Sequence, residues 1–143
     1  MLIGGIICLG GCDSVPRDQV GTLERIANER VMRVGMIATA VPAVHLDRLQ
    51  ALVERSAAAL DARPQIIPGA AEPLLLQLEE GEIDLVVGEF DKASPWMLRV
   101  HLLPALAEQQ RHGATIETTA AARNGENGWI MLLEREARAL GAR

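Results

Sequence analysis

Leu46, Leu49, Leu52, Val53, Ala57 and Leu60 recur at helical spacing, while Asp47, Arg48, Glu54 and Arg55 face elsewhere. The pattern predicts an amphipathic helix. Residues 31–37 before it are apolar except for Arg33 and Gly35 and read as a buried strand. Upstream, Leu23 and Ile26 give a short helix its apolar side. Thr22 stands at the capping position of that helix, and Arg25 sits where a capping box wants an acid. Downstream, residues 64–67 read as a strand and Pro68-Gly69 as a turn. Pro73 suits a first helical turn, Leu74, Leu75 and Leu78 then face inward, and Gly81 ends the helix. Residues 83–87 form a third apolar strand, followed by a polar loop over 89–96.

Beyond Trp96, residues 98–103 read as extended, 104–110 as a short helix and 115–121 as a strand. Trp129, Ile130, Leu133, Ala137 and Leu140 share one face of a closing helix, with Glu134 and Arg138 paired outside it. Strands alternating with helices over short connections predict an α/β fold: a small, mostly parallel sheet with helices on both faces. Leu49, Leu52, Val53, Leu85, Val87 and Leu133 are its expected core.

Composition narrows the function. The chain has 143 residues, enough for one domain with its own core. A net charge of -5 disfavours a phosphate backbone as partner. Phe90, Trp96 and Trp129 are the only aromatics, too few for a base-stacking surface. No nucleic-acid partner is expected. His45, His101 and His112 share no metal-ligand spacing, and no H-E-x-x-H or Gly-rich phosphate loop is present. No nucleophile–base constellation stands out either. The expectation is a protein without metal, cofactor or catalytic residues, not an enzyme.

Both cysteines, Cys8 and Cys12, lie at the start, where Ile3, Ile6, Ile7 and Leu9 form an apolar run with no charge before Asp13. That is the pattern of an export leader. Leu9-Gly10-Gly11-Cys12 resembles the lipobox of bacterial lipoproteins. The resemblance implies cleavage before Cys12 and acylation of that cysteine. Asp13 beside it implies retention at the inner membrane, facing the periplasm. The organisation expected is a signal peptide over 1–11, a tether over 12–21 and a single domain over 22–143.

Three stretches carry a second resemblance. Thr22-Leu23-Glu24-Arg25-Ile26 with Val31-Met32-Arg33-Val34-Gly35 resembles the opening helix and first strand of family 3 solute-binding proteins of ABC transporters. Leu78-Glu79-Glu80-Gly81-Glu82-Ile83-Asp84-Leu85-Val86-Val87-Gly88 resembles their helix, glycine and third strand, and is the most specific of the three. Gly125-Glu126-Asn127-Gly128-Trp129 resembles the start of their C-terminal helix. The resemblance implies the fold of lobe one of a type II periplasmic binding protein. Full members are nearly twice as long, with a second lobe between the equivalents of Trp96 and the final helix. About 30 residues fill that interval here, too few for a lobe.

Family members hold solute at the C-terminal sheet edge, between the first and third strands. Carried onto this chain, the resemblance makes Thr39, Glu89, Asp91, Lys92, Ser94 and Trp96 the candidate ligand-binding residues. Each also has a plainer reading. Thr39 and Ser94 suit turn caps, and Glu89, Asp91 and Lys92 suit a solvated loop. Trp96 serves equally as a platform or an anchor, and Phe90 and Trp129 read as core. The 89–96 loop lacks the arginine that amino-acid binders use for a carboxylate. Two functions are therefore expected as alternatives. One is a lipid-anchored module for amino acids or similar small solutes, partnered by an ABC permease. The other is a one-lobe interaction or structural lipoprotein that contacts another envelope protein.

Overall fold

A computed structural model of the chain describes residues 18–38 and 41–141. The leader, Cys12, most of the tether and Thr39 lie outside the described residues. In chain order the elements are α1 (Thr22–Glu29), β1 (Val31–Ile37), α2 (Ala43–Ala58), β2 (Arg63–Gly69), α3 (Ala71–Glu80) and β3 (Leu85–Asp91). A 3-10 turn (Pro95–Leu98) leads to β4 (Val100–Leu102), β5 (Ala107–Arg111), β6 (Ala114–Arg123) and α4 (Asn127–Gly141).

These strands make a sheet ordered β2-β1-β3-β6-β4, with β5 also paired to β6. β2 and β3 both run parallel to β1. β6 is antiparallel to β3, and β4 and β5 are antiparallel to β6. Five strands therefore point one way, and β6 alone is reversed. β1 and β3 are buried on both faces, which is why they read as near-continuous apolar runs.

Side-chain alternation in β3 and β6 divides the interior in two. On one face Leu85, Val87, Ala120 and Ala122 pack with Ile26 of α1, Leu49, Leu52 and Val53 of α2, and Trp129 and Leu133 of α4. On the other, Val86, Phe90 and Ala121 pack with Leu74, Leu75 and Leu78 of α3. All six expected core residues are buried. α3 ends as its sequence requires: Gly81 has a φ of 78°, a left-handed conformation cheap only for glycine.

The polar interruption of β1 has a structural reason. Buried Asp84 accepts the Arg33 backbone N–H at 2.7 Å and its Nη2 at 2.9 Å, and also ion-pairs with Arg25. The pairing ties the starts of β1 and β3 to α1.

Four expectations need correction. α1 is not capped by Thr22, which lies inside the helix; Gly21 is the N-cap, in left-handed conformation. Its free N–H groups go to carboxylates outside the helix: Thr22 N to Glu126 Oε2 at 2.9 Å, and Leu23 N to Asp18 Oδ2 at 2.8 Å. Pro68-Gly69 is not a turn but the end of β2, an edge strand where a proline costs no sheet hydrogen bond on its open side. β3 continues to Asp91, so Glu89 and Asp91 are strand residues and not loop. Residues 104–110 are not helical: 107–111 form β5, which pairs with β6. The alternation in β5 was hidden because both of its faces carry polar residues, Glu108 and Gln110 on one and Gln109 and Arg111 on the other.

Candidate functional site

From β1 the chain crosses through α2 to β2 on one side, and from β2 through α3 to β3 on the other. At their C-terminal ends β1 leads to α2 on one face of the sheet and β3 to the 3-10 turn on the other, and the gap between them is a crevice of the kind where open α/β sheets place ligands. A cavity of about 250 Å³ lies there. Ile37 and Ala38 close it from β1, Val87 and Gly88 from β3, and Val41 and Leu46 from α2 and its approach. Every described lining residue is apolar or glycine. Gly88 is required by close approach: a Cβ there would sit 2.7 Å from the Cβ of Ile37. The crevice can take a small aliphatic group and exclude water from it. It offers no described side chain to pair a charge.

The candidate residues around β3 lie beside this crevice, not in its lining. Glu89 is on the α2 face of β3, its side chain 4 % exposed, where Arg111 and Gln109 hold it. Asp91 accepts the Ala93 N–H at 2.9 Å and shapes the turn after the strand. Lys92 is exposed, with Nζ 2.9 Å from Glu117 Oε1, and that contact holds its ammonium above the usual lysine range. The Ser94 hydroxyl accepts the Trp96 N–H at 3.4 Å, capping the 3-10 turn. Trp96 packs, half-buried, on the cluster of Phe90 and Val100, with the Arg99 guanidinium 4.2 Å above its ring. Glu89 and Lys92 thus point to opposite faces, and Trp96 belongs to the α3 side.

The crevice residues themselves went unrecognised as a site. An apolar binding surface has the composition of a core, so Ile37, Leu46 and Val87 carried no distinguishing signal. The one available cue was Val41-Pro42-Ala43-Val44, an apolar approach to a helix with Val44 left 60 % exposed.

Between Trp96 and α4, where the resemblance places a second lobe, stand β4 and the β5–β6 hairpin, closed by His112-Gly113. Because β6 pairs with Asp91 through Ile116, the hairpin tip extends past the end of β3.

Solved structures match this arrangement. The arginine-bound form of domain 1 from TmArgBP superposes with a TM-score of 0.67 at 16% sequence identity, covering 81% of this chain and 98% of that one. This is the fold of a single lobe of a periplasmic binding protein. The ancestral cationic amino acid solute binding protein AncCDT-1 matches with a TM-score of 0.68 at 10% identity, over 85% of this chain and 94% of that one. An amino acid ABC transporter substrate-binding protein from Streptococcus pneumoniae, bound to L-arginine, matches with a TM-score of 0.67 at 9% identity, over 85% and 92%. No protein-family model matches the chain, and no curated protein matches it by sequence. At these identities the likeness establishes the lobe fold, and function has to be argued from the site.

Proposed function

We propose that the chain is a one-lobe binding module for a small, largely apolar solute, seated in the crevice between β1 and β3. The observation that carries this reading is the apolar cavity at the C-terminal sheet edge. The arginine-bound domain 1 of TmArgBP supports the idea that one lobe suffices to hold a ligand. This chain's crevice suits a different ligand from arginine. Its described walls bury aliphatic surface and pair no charge, so the solute class is one with an aliphatic side chain, such as leucine, held by that side chain with its ammonium and carboxylate left in water. With one wall in place of two, affinity is weak, with a dissociation constant of about 1 mM or above, a binding free energy no more favourable than roughly -4 kcal/mol. Ala38 is exposed at the crevice rim. Ala38→Phe is therefore expected to fill the crevice and weaken leucine binding at least ~10-fold, with the thermal midpoint unchanged. Equal binding by both proteins in titration calorimetry would place the solute elsewhere. The module acts by binding and not by catalysis, a reading supported by the lack of ionisable side chains among the described crevice residues.

The anchor is part of the same proposal. The Leu9-Gly10-Gly11-Cys12 sequence supports a lipid-modified Cys12 and a periplasm-facing location, beside a permease or another envelope protein. Cys12→Ser is expected to release the protein from membranes. Mass spectrometry of the wild-type membrane fraction should find acyl chains on an N-terminal cysteine; an unmodified chain in the cytosol contradicts it. Exposed Val44, one turn from the crevice, favours a second reading in which the same edge contacts a protein. In that case Val44→Asp abolishes association with the partner and leaves leucine titrations flat in both proteins.

A further inference from the structure

Glu89 is an anomaly at an otherwise apolar edge. Its side chain is 4 % exposed, on the same face of β3 as Val87 of the crevice and two residues further along the strand. A carboxylate so far from water requires a cation and hydrogen-bond donors. The chain supplies them from the β5–β6 hairpin. Arg111 Nη1 donates to Oε2 and Nη2 to Oε1, both at 3.1 Å, the two-pronged geometry of guanidinium–carboxylate recognition. Gln109 Nε2 donates to Oε1 at 2.5 Å.

Two further observations make this a site and not only an ion pair. Thr118 lies directly opposite Glu89 across the β3–β6 ladder, is 1 % exposed, and has a buried hydroxyl without a partner among the described residues. Such orphaned hydroxyls are uncommon in native interiors. Arg111, by contrast, is 45 % exposed and is the last residue of β5, next to the His112-Gly113 turn. A buried, shaped acceptor is thus filled from outside by a half-exposed donor at a strand end.

We propose that Glu89 is the acceptor of a guanidinium site that the chain's own Arg111 occupies, leaving the neighbouring Thr118 hydroxyl unpartnered, so that a free guanidinium ligand binds only when Arg111 is displaced. This rests on the reading of the C-terminal sheet edge as the binding edge, and assigns it a second ligand class beside the apolar crevice. Arg111 acts as a specificity determinant. Tethered at an effective concentration on the order of millimolar or higher, it outcompetes dilute arginine and leaves the crevice to neutral solutes.

The test is rescue of Arg111→Ala by methylguanidinium chloride or L-arginine, followed by thermal unfolding and titration calorimetry at constant ionic strength. Arg111→Ala is expected to melt below wild type and to regain part of the difference with millimolar methylguanidinium, but not with methylamine. Its affinity for methylguanidinium should exceed that of wild type at least ~10-fold. The double variant Glu89→Gln/Arg111→Ala should show no rescue. Should Arg111→Ala be unfolded in plain buffer, methylguanidinium is expected to restore its near-ultraviolet signal, and failure to do so counts against the site. Equal effects of methylamine, rescue that persists without the Glu89 charge, or a midpoint unchanged by Arg111→Ala would overturn the proposal. Leucine binding by wild type is scored separately, so failure of the crevice and failure of the guanidinium site are distinguishable.

Discussion

Trp129→Ala is expected to lower the unfolding free energy by about 3–5 kcal/mol, the range for truncating a buried tryptophan. Trp129 is wholly buried at the start of α4, among Ile26, Met32, Val34 and Leu85. Its indole Nε1 donates to the Asp84 carbonyl at 2.9 Å, and its backbone N–H donates to Asp18 at 3.0 Å. Truncation leaves a cavity in this core and an unpaired carbonyl just before β3. Against a total of roughly 5–15 kcal/mol for a domain, that is a large fraction. Trp129→Phe keeps most of the packing and loses the hydrogen bond, so a smaller cost of about 1–2 kcal/mol is expected. Urea denaturation of both variants checks the pair. A loss below about 1 kcal/mol for the alanine variant would mean that α4 does not seal this core.

Glu126→Ala is expected to cost about 2–4 kcal/mol through two orphaned backbone donors. Glu126 is wholly buried, and its carboxylate accepts Val20 N and Thr22 N, each at 2.9 Å. Asp18 reciprocates, accepting from Leu23 and Trp129. Together the two carboxylates fasten the chain's entry segment and α1 to the start of α4. Burial alone would push the Glu126 carboxyl up; the hydrogen bonds from Thr22 and Val20 and the Arg123 charge outweigh it and hold the carboxyl below the usual range. A carboxyl lowered by folding stabilises the protein at pH values above its unfolded pKa, and that contribution drains as pH falls through the folded value. Wild-type stability should therefore decline as pH falls below about 5, and Glu126→Ala should decline less steeply. Parallel slopes from pH 6 to 3 would show that Glu126 is not held charged.

The strands and helices up to Val87 were legible because each buries an apolar stripe of the right period. Leu49, Leu52 and Val53 mark the inner side of α2, and Leu85 to Val87 mark a strand covered on both faces. What escaped was polar pairing at long range. Part of the capping of α1 comes from Glu126, more than a hundred residues away, which no local pattern announces. β5 escaped because it is held mainly by backbone pairing with β6, with polar side chains on both faces. Glu89 looked like a loop acid because its partners, Gln109 and Arg111, lie on that unrecognised strand. The crevice was invisible for the opposite reason, since Ile37, Leu46 and Val87 are indistinguishable from core until the sheet order exposes the gap between β1 and β3. The family resemblance correctly placed the lobe fold. The residues it nominated, Glu89 to Trp96, stand around the site and not in its lining.

The gap between β1 and β3 is the proposed solute site. Amide chemical shifts of the isotope-labelled protein during a leucine titration test it most directly. Saturable shifts are expected at about 1 mM or above, concentrated at Ile37, Ala38, Val87 and Gly88 and absent in Ala38→Phe. Shifts that are linear in concentration, scattered over the surface, or unchanged in Ala38→Phe would contradict it.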